Sequence, residues 1–231
     1  MTDAFHKFPH TPHLLWLGEG SPREDKLMSG VDAASFLRQE VVVEEKVDGA
    51  NLGLSVGRDG RIRAQSRGNY LAPGRCHAQW NPLWPWLAER EQQLSRALGK
   101  KLILFGEWCY ARHSIAYDAL PDWFLVFDVF ERVTGCFWAS DRRNALASVN
   151  GLHPVPLISR RRLALHEVPN LIGPSLLGSS HMEGICLRCE AIGRLTTRAK
   201  VVSSEFIQQI EEHWSRRPVT PNKLSVAQAV H

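Results

Sequence analysis

The sequence predicts an α+β fold in which antiparallel sheets are flanked by helices. Three observations carry this. Strand-like runs, apolar or alternating, outnumber segments of helical periodicity. Most neighbouring strand runs are joined by short turns of the hairpin kind rather than by crossover helices. The chain has 231 residues, enough to bury a core without disulfide staples. We expect one domain over residues 1–217 and a loose tail over 218–231.

In chain order, residues 41–46 (Val-Val-Val-Glu-Glu-Lys) read as a strand, and Asp48 with Gly49 as a turn. Residues 51–56 and 61–66 read as a hairpin around the turn at 57–60. Residues 85–98 read as a helix, with Leu87, Leu94 and Leu98 on one side and Gly99 as its stop. Residues 101–107 and 124–130 read as buried strands. Ser140 is placed to cap a helix running to about Val149. Residues 168–182 read as a loop, and 184–189 with 194–202 as a strand pair. Ser203 is placed to cap a last helix in which Phe206, Ile207, Ile210 and Trp214 share a face.

Composition narrows the function. Hydrophobic residues at 44% and charged residues at 23% exclude a disordered chain. No apolar run approaches the ~18 residues of a membrane span, and the N-terminus lacks an apolar signal core. A cytoplasmic protein without a membrane role is therefore expected. The net charge of +4 permits a nucleic-acid partner without demanding one. Basic residues cluster at Arg160 to Arg162, at Arg194, Arg198 and Lys200, and at Arg216 with Arg217; each is either solvated surface or a phosphate contact. The five cysteines, an odd number without framework spacing, favour reduced thiols. Cys186 and Cys189 lie in an alternating run with no second pair at zinc spacing, so buried or surface thiols are expected rather than zinc. Trp80, Trp84 and Trp86 are read as packing at a helix entry before base stacking.

The sharpest chemical signal is Glu44-Glu45-Lys46-Val47-Asp48-Gly49-Ala50-Asn51, a lysine ending a strand and followed at once by an Asp-Gly turn. Alone it fits a hairpin with a surface lysine equally well. Further on come Ser66-Arg67-Gly68, Phe105-Gly106-Glu107-Trp108, Phe127 and Asp128 in an apolar run, Glu183 to Arg188, and Arg198-Ala199-Lys200. This ordered set resembles the motifs of the covalent nucleotidyltransferases, which are ATP-dependent polynucleotide ligases and mRNA capping enzymes. It is most similar to ATP-dependent RNA ligases of the phage RNA ligase 2 type, over roughly residues 41–206.

The resemblance implies a nucleotidyltransferase (ATP-grasp-like) domain, ATP as cofactor and Mg²⁺ or Mn²⁺ as metal. It makes Lys46 the nucleophile that takes AMP as a lysyl phosphoramidate. Arg67 would contact the nucleotide and the 5′ end, Glu107 the ribose hydroxyl, and Phe127 the purine face. Glu183 would hold the metal, and Arg198 with Lys200 the α-phosphate. Asn51 matches an asparagine of the RNA ligase form of the first motif. Glu44 would meet the adenine edge, and Glu45 is grouped with it among the nucleotide-binding residues.

The residue chemistry agrees. A lysine attacks only when neutral, and an ordinary lysine is neutral roughly once in a few thousand molecules at neutral pH. Nearby cations lower its pKa, and Lys200, Arg198 and a bound metal are expected to supply that field. Glu44, two residues before Lys46 on the same strand face, would act the other way. Arg198 and Lys200 alternate in period two and share a sheet face. Mg²⁺ binds through one or two carboxylates plus substrate phosphates, which suits Glu183. Other readings stay open: Glu107 as an ion-pair partner, Phe127 as plain core, His113 as a substrate-end contact or a structural residue. Asp128 is read as structural, and His6, His10 and His13 are not read as metal ligands.

Roughly 30 residues follow Lys200, too few for the OB-fold domain of capping enzymes and DNA ligases. The small C-terminal domain usual in phage-type RNA ligases is also not expected, which leaves a partner protein supplying it as an alternative. The expected function is an ATP-dependent RNA ligase joining 3′-hydroxyl and 5′-phosphate ends of RNA, in a nicked or tailed duplex. A DNA ligase of the same chemistry and a catalytically silent module that binds nucleic-acid ends are the alternatives.

Overall fold

The structure is a computed structural model that describes residues 5–20, 27–209 and 218–225. Two antiparallel sheets hold the chain together. The first contains β1 (Val41–Lys46), β8 (Leu157–Arg161), β9 (Gly184–Ala191) and β10 (Arg194–Val202) in the order β10-β9-β1-β8. The second contains β2 (Ala50–Val56), β3 (Ile62–Gln65), β4 (Leu102–Trp108), β5 (Phe124–Glu131) and β6 (Cys136–Phe137) in the order β3-β2-β4-β5-β6. A short β7 (His153–Pro154) runs parallel to β5. The expected α+β class with antiparallel sheets is what forms.

The chain crosses from one sheet to the other at residues 47–49, between β1 and β2, and returns at residues 155–156, between β7 and β8. The return crossing lies against the end of β1, since the Glu45 N–H donates to the Pro156 carbonyl at 2.9 Å. β1 is an inner strand, which explains its unbroken apolar start: Val41, Val42 and Val43 are all buried.

Helices cover the outer faces. α2 (Leu83–Leu98) starts two residues before the expected Pro85, behind Pro82, and buries Leu83, Trp86, Leu87, Leu94 and Leu98 against the second sheet. Trp80 and Trp86 are buried there and Trp84 packs beside them, so these tryptophans are core and not base platforms. The Trp86 indole donates to Asp122 at 2.9 Å. α3 (Ser140–Val149) begins one residue earlier than a Ser140 cap would allow. Ala139 occupies the cap position, and the Ser140 N–H and Oγ both bond Glu190 at 2.8 Å. α4 (Ser204–Gln209) is capped as expected, by Ser203 Oγ accepting from the Phe206 N–H at 3.1 Å. Ile210 and Trp214 of its expected face lie outside the described residues.

Some elements escaped the sequence reading. α1 (Gly30–Leu37) buries only Ala33 and Phe36, too few for a visible stripe, although Ser29 accepts from the Asp32 N–H at 3.1 Å as an N-cap should. β8 is an exposed edge strand that reads as a charge cluster. Residues 218–225 are not loose: they bridge to Ala111 and Leu120, and Asn222 is buried.

The β9–β10 turn carries one strained residue. Ile192 has φ of 51° and is 99% exposed, so it adopts a left-handed conformation and packs on nothing. Ile192→Asn should raise stability by about 1 kcal/mol, because asparagine tolerates this conformation. A urea midpoint at or below that of the parent chain would refute this.

Candidate active site

Period-two geometry turns Val42, Glu44 and Lys46 to one face of β1. The register sets Glu44 opposite Cys186 and Cys186 opposite Lys200, while Lys46 faces Gly184. A Cβ at position 184 would come 2.1 Å from the Val201 carbonyl oxygen, so only glycine lets these backbones approach. The residue before it, Glu183, accepts from Lys46 Nζ at 2.6 Å.

The second sheet supplies the opposite wall. Asn51 on β2 lies directly across from Glu107 on β4. The β4–β5 register shifts between Phe105 and Gly106, pairing them with Asp128 and Val126 and leaving Phe127 as the extra residue. Such a bulge re-aims a side chain, and Phe127 faces the cleft between the sheets. Nine of the ten residues singled out in the sequence border this cleft, although the Glu45 carboxylate points away from it, and the tenth, Glu183, joins it through Lys46.

The electrostatics of Lys46 differ from expectation. Burial would lower its pKa, but Glu183, then Cys186 and Glu107, outweigh burial and hold the amine above the ordinary lysine value. Among the protein's own groups these anions outweigh the cations, and Lys46 pairs with Glu183. Lys200 is lowered, first by burial and then by the Lys46 charge. Burial pushes Glu107 up to about 8, with Glu183 and Asp48 adding and Lys46 opposing.

Two glutamates have other duties. Glu44 lines the cleft and is not among the main groups raising Lys46: both its carboxylate oxygens accept from the guanidinium of Arg143 on α3, one contact being 3.1 Å. Glu45 points to the other face of β1. Its oxygens accept from Ser175 Oγ at 2.5 Å and from the Leu176 N–H at 2.8 Å, anchoring the loop that precedes Glu183.

Arg198 and Lys200 share a face as expected but keep different company. Arg198 pairs with Asp128 and sits over the rings of Phe137 and Phe8, at 4.2 and 4.8 Å. Lys200 lines the cleft with Lys46 and is influenced by the charges of Lys46 and Glu183. Asp128 is structural, as expected, and also accepts from Arg188 at 2.8 Å. Arg67 is exposed on the cleft rim. Asn51 Oδ1 is buried without a hydrogen-bond partner, an acceptor whose cost a bound donor would relieve.

Cys186 faces the cleft and Cys189 the core of the first sheet, so the pair cannot grip one ion. Among the described residues no group of three His, Cys, Asp or Glu side chains is placed to hold a metal. A cation taking one or two protein carboxylates plus substrate oxygens does fit, with Glu183 as a buried carboxylate beside Lys46. His113 Nε2 lies 2.9 Å from Gln79 Oε1, a partner within the protein. Arg160 and Arg161 are tied to Asp141 and Glu167 at 2.5 and 2.9 Å. Arg216 and Arg217 lie outside the described residues.

Sequence reasoning missed three supports of this site. Arg143, fully buried, also donates to the Phe127 carbonyl at 2.6 Å and so joins the sheets behind Phe127. Residues 12–14 flank β10, the Lys200 N–H donating to the Pro12 carbonyl and the Leu14 N–H to the Lys200 carbonyl, both at 2.9 Å. Asp48 Oδ2 accepts from the N–H groups of Ser114 and Ile115 at 2.7 and 2.9 Å. Only the Asp-Gly turn hinted at the last.

Two antiparallel sheets with a strand-end lysine in the cleft between them define the class of site. The chain belongs to the RNA ligase family, whose model matches residues 39–202. Solved structures agree on the fold. A Naegleria gruberi RNA ligase with PPi superposes with a TM-score of 0.60 at 18% identity, covering 88% of this chain and 64% of that one. A variant of the same ligase with ATP and Mn gives 0.59 at 16%, covering 87% and 63%. Another with AMP and Mn gives 0.57 at 17%, covering 88% and 63%. The chain thus spans less than two thirds of the length of these ligases. A sequence comparison with curated proteins finds no match.

Proposed function

We propose that this chain is an ATP-dependent RNA ligase acting through a lysyl-AMP intermediate. The observation that carries the reading is Lys46 Nζ, held in the cleft 2.6 Å from Glu183, with Lys200 lining the same cleft. Family membership supports it. So do the Naegleria gruberi ligase structures, whose ligands are ATP, AMP and PPi, the substrate and the two parts into which the first step divides it.

In the first step Lys46, its ammonium proton given up to solvent, attacks the α-phosphorus of ATP, and the nitrogen sheds a further proton to solvent as the phosphoramidate forms. The N–P bond forms as the bridging P–O bond to the β-phosphate breaks, and pyrophosphate leaves. Lys200 steadies the charge that builds on the α-phosphate. Phe127 offers a face to the purine, and Glu107 sits at the ribose hydroxyl. A divalent cation on Glu183, Mg²⁺ or Mn²⁺, would neutralise phosphate charge and draw Glu183 away from Lys46, which favours the neutral amine. In the second step an oxygen of a 5′-phosphate attacks the same phosphorus, and Lys46 leaves and regains its proton. Arg67 on the rim is placed for that phosphate. In the third step a 3′-hydroxyl attacks the 5′-phosphorus, a phosphodiester forms and AMP departs.

The test is incubation with α-³²P ATP and Mg²⁺, followed by sealing of nicks with RNA or DNA on the 3′-hydroxyl side. The expected result is a labelled chain, with the label stable to base, lost in acid and prevented by chelator, and faster sealing of RNA nicks. Equal or better sealing of all-DNA nicks would turn the assignment to a DNA ligase. No label between pH 6 and 9 would favour a silent end-binding module.

A further inference from the structure

Residues 218–225 lie along the segment 109–120, which connects β4 to the residues before β5. The Arg112 N–H donates to the Thr220 carbonyl at 2.8 Å, and the Ser225 N–H to the Leu120 carbonyl at 2.8 Å. Asn222 is the centre of this contact. Its Nδ2 donates to the Cys109 carbonyl at 2.8 Å, its Oδ1 accepts from the Tyr117 N–H at 2.9 Å, and its own N–H donates to the Tyr110 carbonyl at 2.8 Å. The Lys223 N–H then takes the Tyr117 carbonyl at 2.9 Å, so both backbone groups of Tyr117 are held by the strap.

Tyr117 passes this order inward. It is 1% exposed, and its hydroxyl accepts from the Asp48 N–H at 2.8 Å. The Asp48 carboxylate in turn holds Ser114 and Ile115. Leu224 packs on the apolar cluster containing Tyr117, Ile115 and Val47, the residue that follows Lys46. The path ends at Asp48, two residues from Lys46.

We infer that residues 218–225 are an intramolecular strap, and that Asn222 is a positioning residue which sets Lys46 through Tyr117 and Asp48. The inference rests on Lys46 as the proposed nucleophile, but the strap has a signature independent of activity. Asn222→Ala frees the Tyr117 amide and loosens the 109–120 segment. Tyr117→Phe removes only the bond to Asp48. Both should slow lysine labelling by about tenfold or more while leaving the half-saturating ATP concentration unchanged, because misplacing a nucleophile by a fraction of an ångström costs rate and not binding. The double variant should be no slower than the worse single variant, because both act through one path.

The experiment combines amide hydrogen exchange with single-turnover labelling on the full chain, for the parent, both single variants and the double variant. Faster exchange at Ser114, Ile115 and Asp48 in Asn222→Ala, with non-additive labelling rates, is the expected result. Unchanged exchange at these amides, or effects that multiply in the double variant, overturns the strap. If the parent chain takes no label, the ligase reading fails and the exchange measurement alone decides the strap. If Asn222→Ala does not fold, Tyr117→Phe decides it through the Asp48 amide and the labelling rate.

Discussion

Lys46→Arg is expected to fold as the parent does and to take no label from ATP. Arginine keeps the positive charge that balances Glu183 at the 2.6 Å contact, so the buried carboxylate is not left alone. It cannot act as the nucleophile, since a guanidinium with a pKa above about 12 is neutral in fewer than roughly one molecule in 10⁵ at neutral pH. The labelling rate should fall at least about a thousandfold, the scale of losing a nucleophile. Circular dichroism and the urea midpoint check the fold, and the gel checks the chemistry. Persistent labelling of Lys46→Arg would move the acceptor to another residue. Lys46→Ala is the less informative change, because it also strands Glu183.

Arg143→Met should cost about 3–5 kcal/mol, the largest stability effect expected in the chain. Glu44 and Arg143 are 3% and 0% exposed, and the arginine grips both carboxylate oxygens. Removing it leaves a buried carboxylate without its main partner, the costly half of any buried ion pair. The Phe127 carbonyl loses a donor in the same change. A fall in the urea midpoint of about 1–2 M follows. Arg143→Lys should recover little, since an ammonium cannot span two oxygens and a carbonyl at once. Changing Glu44 to Leu in the Arg143→Met background should restore part of the loss, because the stranded charge goes with it. A single variant within about 1 kcal/mol of the parent would show that the pair is not the tie between sheets described above.

How much of this was legible in the sequence follows from the reach of each interaction. The strands that carry the site were readable, because inner strands need consecutive apolar residues and Lys46, Glu107, Phe127 and Glu183 punctuate those runs. Lys46, Glu107 and Phe127 come together in one cleft, with Glu183 paired to Lys46. What the buried glutamates do was not readable. Glu44 and Arg143 are 99 positions apart, and nothing local in α3 marks one arginine among Arg142 and Arg143 as the inner one. Glu45 looks equivalent to Glu44 until the pleat sends them to opposite faces. The strap at 218–225 has no periodicity, and a lone buried asparagine leaves no pattern. α1 and β8 failed for a related reason: each buries too little to show a stripe.

One consequence concerns length rather than composition. β1 passes into β2 through three residues, 47–49, and changes sheet within them. Insert or delete a single residue within 41–46 and the pleat inverts: Glu45 turns to the cleft and Lys46 to the apolar side of the first sheet. The tips at 58–60 and 133–135 are under no such constraint, being exposed. Variants of this chain found by random mutagenesis should therefore accept added residues at those tips and point substitutions over much of the surface. Between residues 41 and 56 only changes that preserve spacing should survive.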